Sequence, residues 1–416
     1  MSDAVFSNPS VFYGWRIVAG AFVVAVFGWG LGFYGPPVYL HAVREARGWS
    51  IALTSTAVTM HYLCGALVVA NLPKLYRRFG LATVTRIGSL SLALGLVGWA
   101  MAELPWQLFA ATLLTGCGWV TLGAAAINAI IAPWFLRSRP KALSTAYNGA
   151  SVGGIIFSPL WVALIEWLGF ARAAILVGAV TVIVIWFLAT WVVARTPDQL
   201  GQYPDGEAAA PAIAATPAAG SALPGKMLWR NGHFRTLAMG MALGLFAQIG
   251  LLAHLFSLIV PALGIGWAGI AAGLATASAI VGRTAFGWLM PIGADRRLWA
   301  AISYSIQILG IGVLFLSGLQ SPVMILAGVL LFGFGIGNAT SFPPLIAQVE
   351  FTKEDAARVV PLIVAMAQAT YAFAPATFGL IREAWPSAIW PILLVAALIK
   401  ALAIAAFLSS RWKAAT

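Results

Sequence analysis

Long apolar runs alternate with short polar breaks along this chain, and the alternation repeats twelve times. Six runs fall near 15–40, 51–72, 82–102, 106–134, 141–166 and 172–194. Six more fall near 234–262, 267–289, 298–318, 322–348, 357–381 and 387–409. Each is long enough for the ~20 residues that carry a helix across a ~30 Å hydrocarbon core. In lipid, only helices and closed barrels satisfy every backbone polar group. The alternating period of barrel strands is absent from these runs. The pattern predicts an all-α integral membrane protein with twelve transmembrane helices in two six-helix bundles.

The stretch 196–232 interrupts the series. It is rich in Ala, Pro and Gly, has nothing to build a core from, and reads as a flexible cytoplasmic linker. The expected organisation is a first bundle at 1–195, this linker, and a second bundle at 233–416. A loose internal echo supports a repeat. PKALSTAYNGASVGGIIFSPL at 140–160 and ARVVPLIVAMAQATYAFAPATFG at 357–379 each leave a charged loop, carry small residues, and reach a proline past the midpoint, Pro159 and Pro375.

Composition agrees with lipid as the main solvent. Of 416 residues, 61% are hydrophobic and 9% charged, against about 25% charged in soluble proteins. The net charge of +12 would suggest nucleic acid, but the placement of the basic residues points elsewhere. Eighteen Lys and Arg fall on the side shared by both termini, four fall on the other side, and Arg283 and Lys400 lie well inside runs. By the positive-inside rule both termini are expected in the cytoplasm, the chain being multi-pass in the cell inner or plasma membrane. The start, MSDAVFSNPSVFYGWR, lacks the features of a cleavable signal peptide. Tryptophans near run ends, such as Trp49, Trp106, Trp167 and Trp267, read as an interfacial belt.

The two charges well inside runs carry the functional question. An arginine at a membrane helix centre costs about 2.5–3.5 kcal/mol on insertion scales, so it needs a wet cavity, a partner or the membrane surface. Arg283 sits in IGWAGIAAGLATASAIVGRTAFG at 265–287, with Ala275, Ala279 and Gly282 on or beside its face. Those small residues leave room before the guanidinium. The functional reading is an anion-binding group in a transport cavity; the plain reading is an arginine capping carbonyls or snorkelling. Lys400 reads as a lipid-interface or structural lysine.

Three stretches resemble the major facilitator superfamily, and within it the monocarboxylate porters and oxalate–formate antiporters. They are YGPPVYLHAVREARGWSIALTSTA at 34–57, APWFLRSRPKALSTAYNGASVGGIIFSPL at 132–160, and GRTAFGWL at 282–289. The resemblance implies the two-bundle fold, alternating access, and an eighth-helix arginine, here Arg283, that holds a substrate carboxylate. It also implies a gating loop between the second and third spans, where Arg77, Arg78 and Gly80 stand in PKLYRRFG. The sequence departs from the family there: Pro73 replaces a glycine, and Arg77 replaces the aspartate of the state-locking ion pair. Ala279 stands where proton-coupled porters place an aspartate. Pro36 or Pro37 stands at their first-helix lysine, and 357–381 lacks the oxalate carriers' lysine.

All twelve carboxylates fall in loops or at run ends, so no protein anion is expected at the depth of Arg283. Proton coupling, if present, falls to His61, His254 or the substrate. The expected pocket is Arg283 with Tyr34, Asn128, His254, Asn338 and Gln368; Tyr147, Asn148, Gln248 and Tyr371 are further polar groups inside runs. Cys64 and Cys117 read as small buried residues, with no metal spacing. The glycine runs at 149–154 and 333–337 lack the context of nucleotide loops. No enzyme constellation, cofactor or metal is expected. The expected function is secondary transport of a small mono- or dicarboxylate, by exchange or by symport with a proton. The expected partners are that anion and the lipid bilayer, without nucleic acid, for a chain acting as a monomer. Export of drugs, siderophores or metalloid oxyanions is the alternative. A non-transporting sensor or scaffold is the rival of another class.

Overall fold

The computed structural model describes residues 12–207, 225–291 and 293–410. The first bundle comprises α1 (Gly14–Gly32), α2 (Pro36–Arg47), α3 (Ile51–Phe79), α4 (Leu81–Met101), α5 (Pro105–Val120), α6 (Ala124–Ile131), α7 (Arg139–Leu168) and α8 (Phe170–Leu188). The second comprises α9 (Gly225–Arg230), α10 (Gly232–Leu263), α11 (Ile265–Leu289), α12 (Arg296–Ser317), α13 (Pro322–Ile336), α14 (Asn338–Glu350), α15 (Lys353–Tyr371), α16 (Ala374–Ala384) and α17 (Trp390–Ser409). Among the described residues they form twelve spans long and apolar enough to cross a membrane. The outer surface is correspondingly greasy, with Trp288 86% and Leu316 76% exposed. Twelve crossings return the chain to the side on which it starts, called here the terminal end; the opposite side is the far end. Arg411 and Lys413, and 208–224 of the linker, lie outside the described residues.

Local sequence explains where helices turn and break. Gly80, Gly169 and Gly264 each close one helix and open the next as a single-residue corner, at φ of 79°, 78° and 76°. Side chains rarely adopt that conformation, so glycine alone makes the corner without strain. The first span breaks between α1 and α2 ahead of Pro36 and Pro37, and the fourth breaks at 121–123. The tenth breaks at Gly337, and the eleventh just before Pro375. Close packing uses small residues: a Cβ on Gly149 or Gly153 of α7 would strike the carbonyl of Phe22 or Val26 on α1.

Two charged groups hold the second bundle together. Arg297, 3% exposed, grips the Glu350 carboxylate through Nε and Nη2 at 2.5 and 2.7 Å. It also donates to the His233 and Phe407 carbonyls and to Thr236 Oγ1, joining α10, α12, α14 and α17 at the terminal end. Lys400 is fully buried rather than at the lipid interface. Its Nζ donates to the Gly244 carbonyl at 3.1 Å and lies 4.6 Å from the centre of the Tyr304 ring. The twelfth span packs against α10 and α12, and the lysine lies on its inward side. That is the structural alternative of the two the sequence left. Cys64 and Cys117 are half-buried rather than buried, with their sulfurs 3.2 Å apart.

The start of the linker is docked on the first bundle. Asp205 accepts the backbone N–H groups of Leu136, Arg137 and Ser138 at 3.0, 2.8 and 3.0 Å. Its own N–H donates to the Trp134 carbonyl, and Gln202 accepts from the Tyr13 N–H. Glu207 pairs with Arg137 at 3.1 Å. The composition of 196–232 hides this, because a few single side chains supply the anchors. Burial pushes the Asp205 carboxyl upward, and the N–H groups of Arg137, Ser138 and Leu136 outweigh it, so its pKa lies below the usual value. A lowered carboxyl stabilises the fold above its unfolded pKa and ceases to do so as pH falls through the folded one. Asp205→Asn is expected to cost about 1 kcal/mol, the size of a helix N-cap. The difference in melting temperature from wild type is expected at neutral pH and is expected to vanish in acid; a difference independent of pH contradicts the assignment.

Candidate functional site

The site forms where two helix breaks and one small-residue helix meet. α11 carries Thr276 and, two turns on, Arg283. From the first bundle, Tyr34 in the α1–α2 break reaches Thr276 and lies within electrostatic range of Arg283. Gly154 of α7 makes this approach possible, since a Cβ there would meet the Tyr34 ring and Thr276 at 2.7 Å. From the second bundle, the α13–α14 break lays Gly337 against the guanidinium, with a Cβ there only 2.9 Å from Nη2. Asn338 follows directly, and the Gln248 amide reaches the Ile336 carbonyl at 3.5 Å.

The polar atoms of this site are left open. Arg283 Nε is sealed from solvent without a hydrogen-bond partner, and no described carboxylate pairs with the guanidinium. Asn338 Nδ2 and Gln248 Oε1 are likewise buried and without partners. Buried polar groups are normally satisfied, so such atoms ask for a missing partner. Two of the three are donors and one belongs to a cation. The arrangement suits an oxygen-bearing anion, held by a charge-assisted fork and a neutral amide.

The other sequence-derived candidates lie elsewhere. Asn128 donates to the Ala124 carbonyl at 3.0 Å and to Tyr147 Oη at 2.5 Å, within the first bundle. His61 is buried with both nitrogens engaged, Nδ1 with Thr115 Oγ1 and Nε2 with the Gly32 carbonyl, each at 2.9 Å. His254 is fully buried, its Nε2 donating to the Pro375 carbonyl at 3.0 Å and its Nδ1 facing Arg382 at 3.4 Å. Neither ring opens onto the Arg283 site. Gln368 lies half-buried on α15, a helix that touches α3 across the seam. Arg77, Arg78 and Gly80 are exposed, and Arg77 and Arg78 make no described ion pair. In the second bundle, Asp295 caps α12 by accepting the N–H groups of Arg297 and Leu298, beside the Arg297–Glu350 clamp. Thr276 and the clamp were not singled out from sequence. A threonine in a small-residue run reads as packing, and Arg297 and Glu350 are 53 residues apart.

The seam between the bundles is knit from mid-membrane to the far end. Gly269 and Gly273 of α11 pack on Val162, Pro159 and Ile155 of α7. Glu383 accepts the Ala52 N–H at 2.7 Å, so a carboxylate from one bundle caps the first turn of α3 in the other. Thr59 Oγ1 accepts the Ala376 N–H at 3.1 Å. Both of these lie in the far half, and the Tyr34–Thr276 contact crosses the seam closer to Arg283. Behind them, Arg382 donates to Ser257 Oγ at 2.6 Å.

A sequence model of the Major Facilitator Superfamily matches residues 17–375. The chain belongs to that superfamily. It is a transporter by family and fold, not an enzyme. The chain is similar to monocarboxylate transporter 11 of Mus musculus, 28% identical over 370 residues that cover 81% of this chain and 73% of the relative. It is similar to MFS transporter asaE of Aspergillus flavus, 25% identical over 351 residues that cover 82% and 74%. In fold it matches the crystal structure of nucleoside transporter NupG, with TM-score 0.72 at 15% identity, covering 96% of this chain and 99% of the other. A bacterial homolog of the human lysosomal transporter Spinster, inward-facing and occupied, matches with TM-score 0.70 at 15% identity, covering 97% and 98%.

Loss of the Glu383 cap is expected to loosen the far end. In Glu383→Ala, a loss of about 1 kcal/mol corresponds to roughly five-fold faster opening-limited hydrogen exchange in peptides spanning 50–60 and 374–384. Unchanged exchange in both peptides contradicts the role.

Proposed function

We propose that this transporter moves a small organic anion, a mono- or short dicarboxylate, and that Arg283 holds its carboxylate. The observation that carries this reading is the Arg283 guanidinium, placed between the bundles without a protein anion and beside the unpartnered amide of Asn338. A carboxylate accepts two parallel N–H bonds from a guanidinium, which gives both energy and orientation. Tyr34 and Thr276 lie on the side towards the far end and frame the anion's remaining surface. The name of the mouse relative, monocarboxylate transporter 11, agrees with this chemistry. Asn128 is bonded within the first bundle, and His254 belongs to the packing around Pro375 and Arg382.

Alternating access fits the seam. The two far-half hydrogen bonds between the bundles would have to part for the far mouth to open. The excess of basic residues at the terminal end supports a cytoplasmic placement of both termini in the cell inner or plasma membrane. Movement of the empty carrier would carry an uncompensated guanidinium past the apolar seam, which costs free energy. A bound anion removes that cost. This favours exchange of one anion for another, or entry of the anion together with a proton. A larger apolar cargo is the second reading, supported by the Phe33, Tyr62 and Tyr371 rings that flank the seam.

The test is uptake of labelled lactate, pyruvate and oxalate into proteoliposomes. A charged hydrogen bond is worth about 1.5–3 kcal/mol, so Arg283→Ala is expected to cut uptake by roughly ten- to hundredfold. Arg283→Lys keeps the charge without the fork and is expected to fall between alanine and wild type. Full uptake by the alanine variant contradicts the proposal.

A further inference from the structure

We infer that the outer face of the first bundle carries a binding site for one anionic phospholipid, with its headgroup on Arg86 and one acyl chain in the groove between α4 and α8. Arg86 lies six residues into α4, inside the span rather than in the loop before it. Its Nε is sealed without a hydrogen-bond partner, and no described carboxylate pairs with it. Its guanidinium lies over the Trp186 ring of α8, 5.8 Å from the centroid. A cation at interfacial depth beside an indole suits a phosphate, since tryptophan prefers the headgroup level.

Below this pair runs an apolar groove of about 350 Å³. α4 contributes Ala93, Leu94 and Val97; α8 contributes Gly178, Ala179 and Ile183. On α4 these lie seven, eight and eleven residues beyond Arg86, on one helical stripe with it. On α8 they lie eight, seven and three residues before Trp186, again on one stripe. Arginine, tryptophan and groove therefore share one line down the bundle surface. From Arg86 to Val97 the helix rises ~16 Å at 1.5 Å per residue. That is about half of a ~30 Å hydrocarbon core, the depth reached by one leaflet's acyl chain. Small residues hollow the groove, while Leu94 and Ile183 form exposed walls. The basic excess at the terminal end adds attraction for an anionic headgroup over a zwitterionic one.

The experiment is native mass spectrometry of the whole protein in non-ionic detergent. It is titrated with phosphatidylglycerol, with phosphatidylcholine of the same chains, or with glycerol 3-phosphate as a chainless headgroup. The variants are Arg86→Gln, Arg86→Lys and Ala179→Phe, each checked for an unchanged melting temperature. Wild type is expected to retain one phosphatidylglycerol about tenfold more tightly than phosphatidylcholine. Arg86→Gln is expected to lose that preference, and Arg86→Lys to keep part of it. Ala179→Phe fills the groove, leaves the charge in place, and is expected to lose the bound lipid. Glycerol 3-phosphate is expected not to bind. Equal retention of both lipids by wild type, unchanged retention in Arg86→Gln or Ala179→Phe, or equal binding of glycerol 3-phosphate overturns the site. Should Arg86→Gln fail the melting check, Ala179→Phe and the comparison of lipids still decide.

Discussion

A positive charge without a protein counter-charge, held where two helical bundles meet, is the constraint on which the rest of this structure depends. Placing Arg283 in a membrane interior is costly unless water, a partner or cargo satisfies it. The fold answers with geometry rather than with an acid. Gly337 lets the α13–α14 break lie against the guanidinium, and Gly154 lets Tyr34 cross the seam to meet Thr276. The remaining buried polar atoms nearby, on Asn338 and Gln248, are also open. On the proposed reading, an oxygen-bearing anion completes this site.

The other buried charges show the contrast. Arg297 is satisfied by Glu350, Thr236 and two carbonyls, and it holds the terminal end of its bundle together. Lys400 is closed over by the Gly244 carbonyl and the Tyr304 ring, which leaves no route to the central seam. Arg382 spends its hydrogen bonds on Ser257 and His254 behind the far-end gate. Among these cations Arg283 alone faces the other bundle and lacks a described hydrogen bond. The gate itself depends on weak links: a carboxylate capping a helix start and a hydroxyl accepting one N–H. Contacts of that size suit a seam that must part in each cycle.

Much of this was legible in the sequence because it depends on depth, and depth is one-dimensional. The twelve apolar runs set the spans, and the placement of the carboxylates already isolated Arg283. Direction around a helix axis was not legible in the same way. His254 sits at cavity depth, yet its ring turns to Pro375; Lys400 sits mid-span, yet it points inward. Tyr34 was reached as one polar group among several inside the apolar runs, since a buried phenol must find a partner. Thr276 was missed because a threonine among alanines and glycines looks like packing. The docked start of the linker was missed because Asp205 and Gln202 act singly, in a segment whose composition argues against order.

The most direct measurement is an experimental structure of the protein with the first carboxylate that raises its melting temperature. The account predicts the carboxylate oxygens within hydrogen-bond distance of the Arg283 guanidinium, between Tyr34 and Asn338. An anion bound elsewhere, with Arg283 turned to an acidic side chain or to the membrane surface, contradicts it.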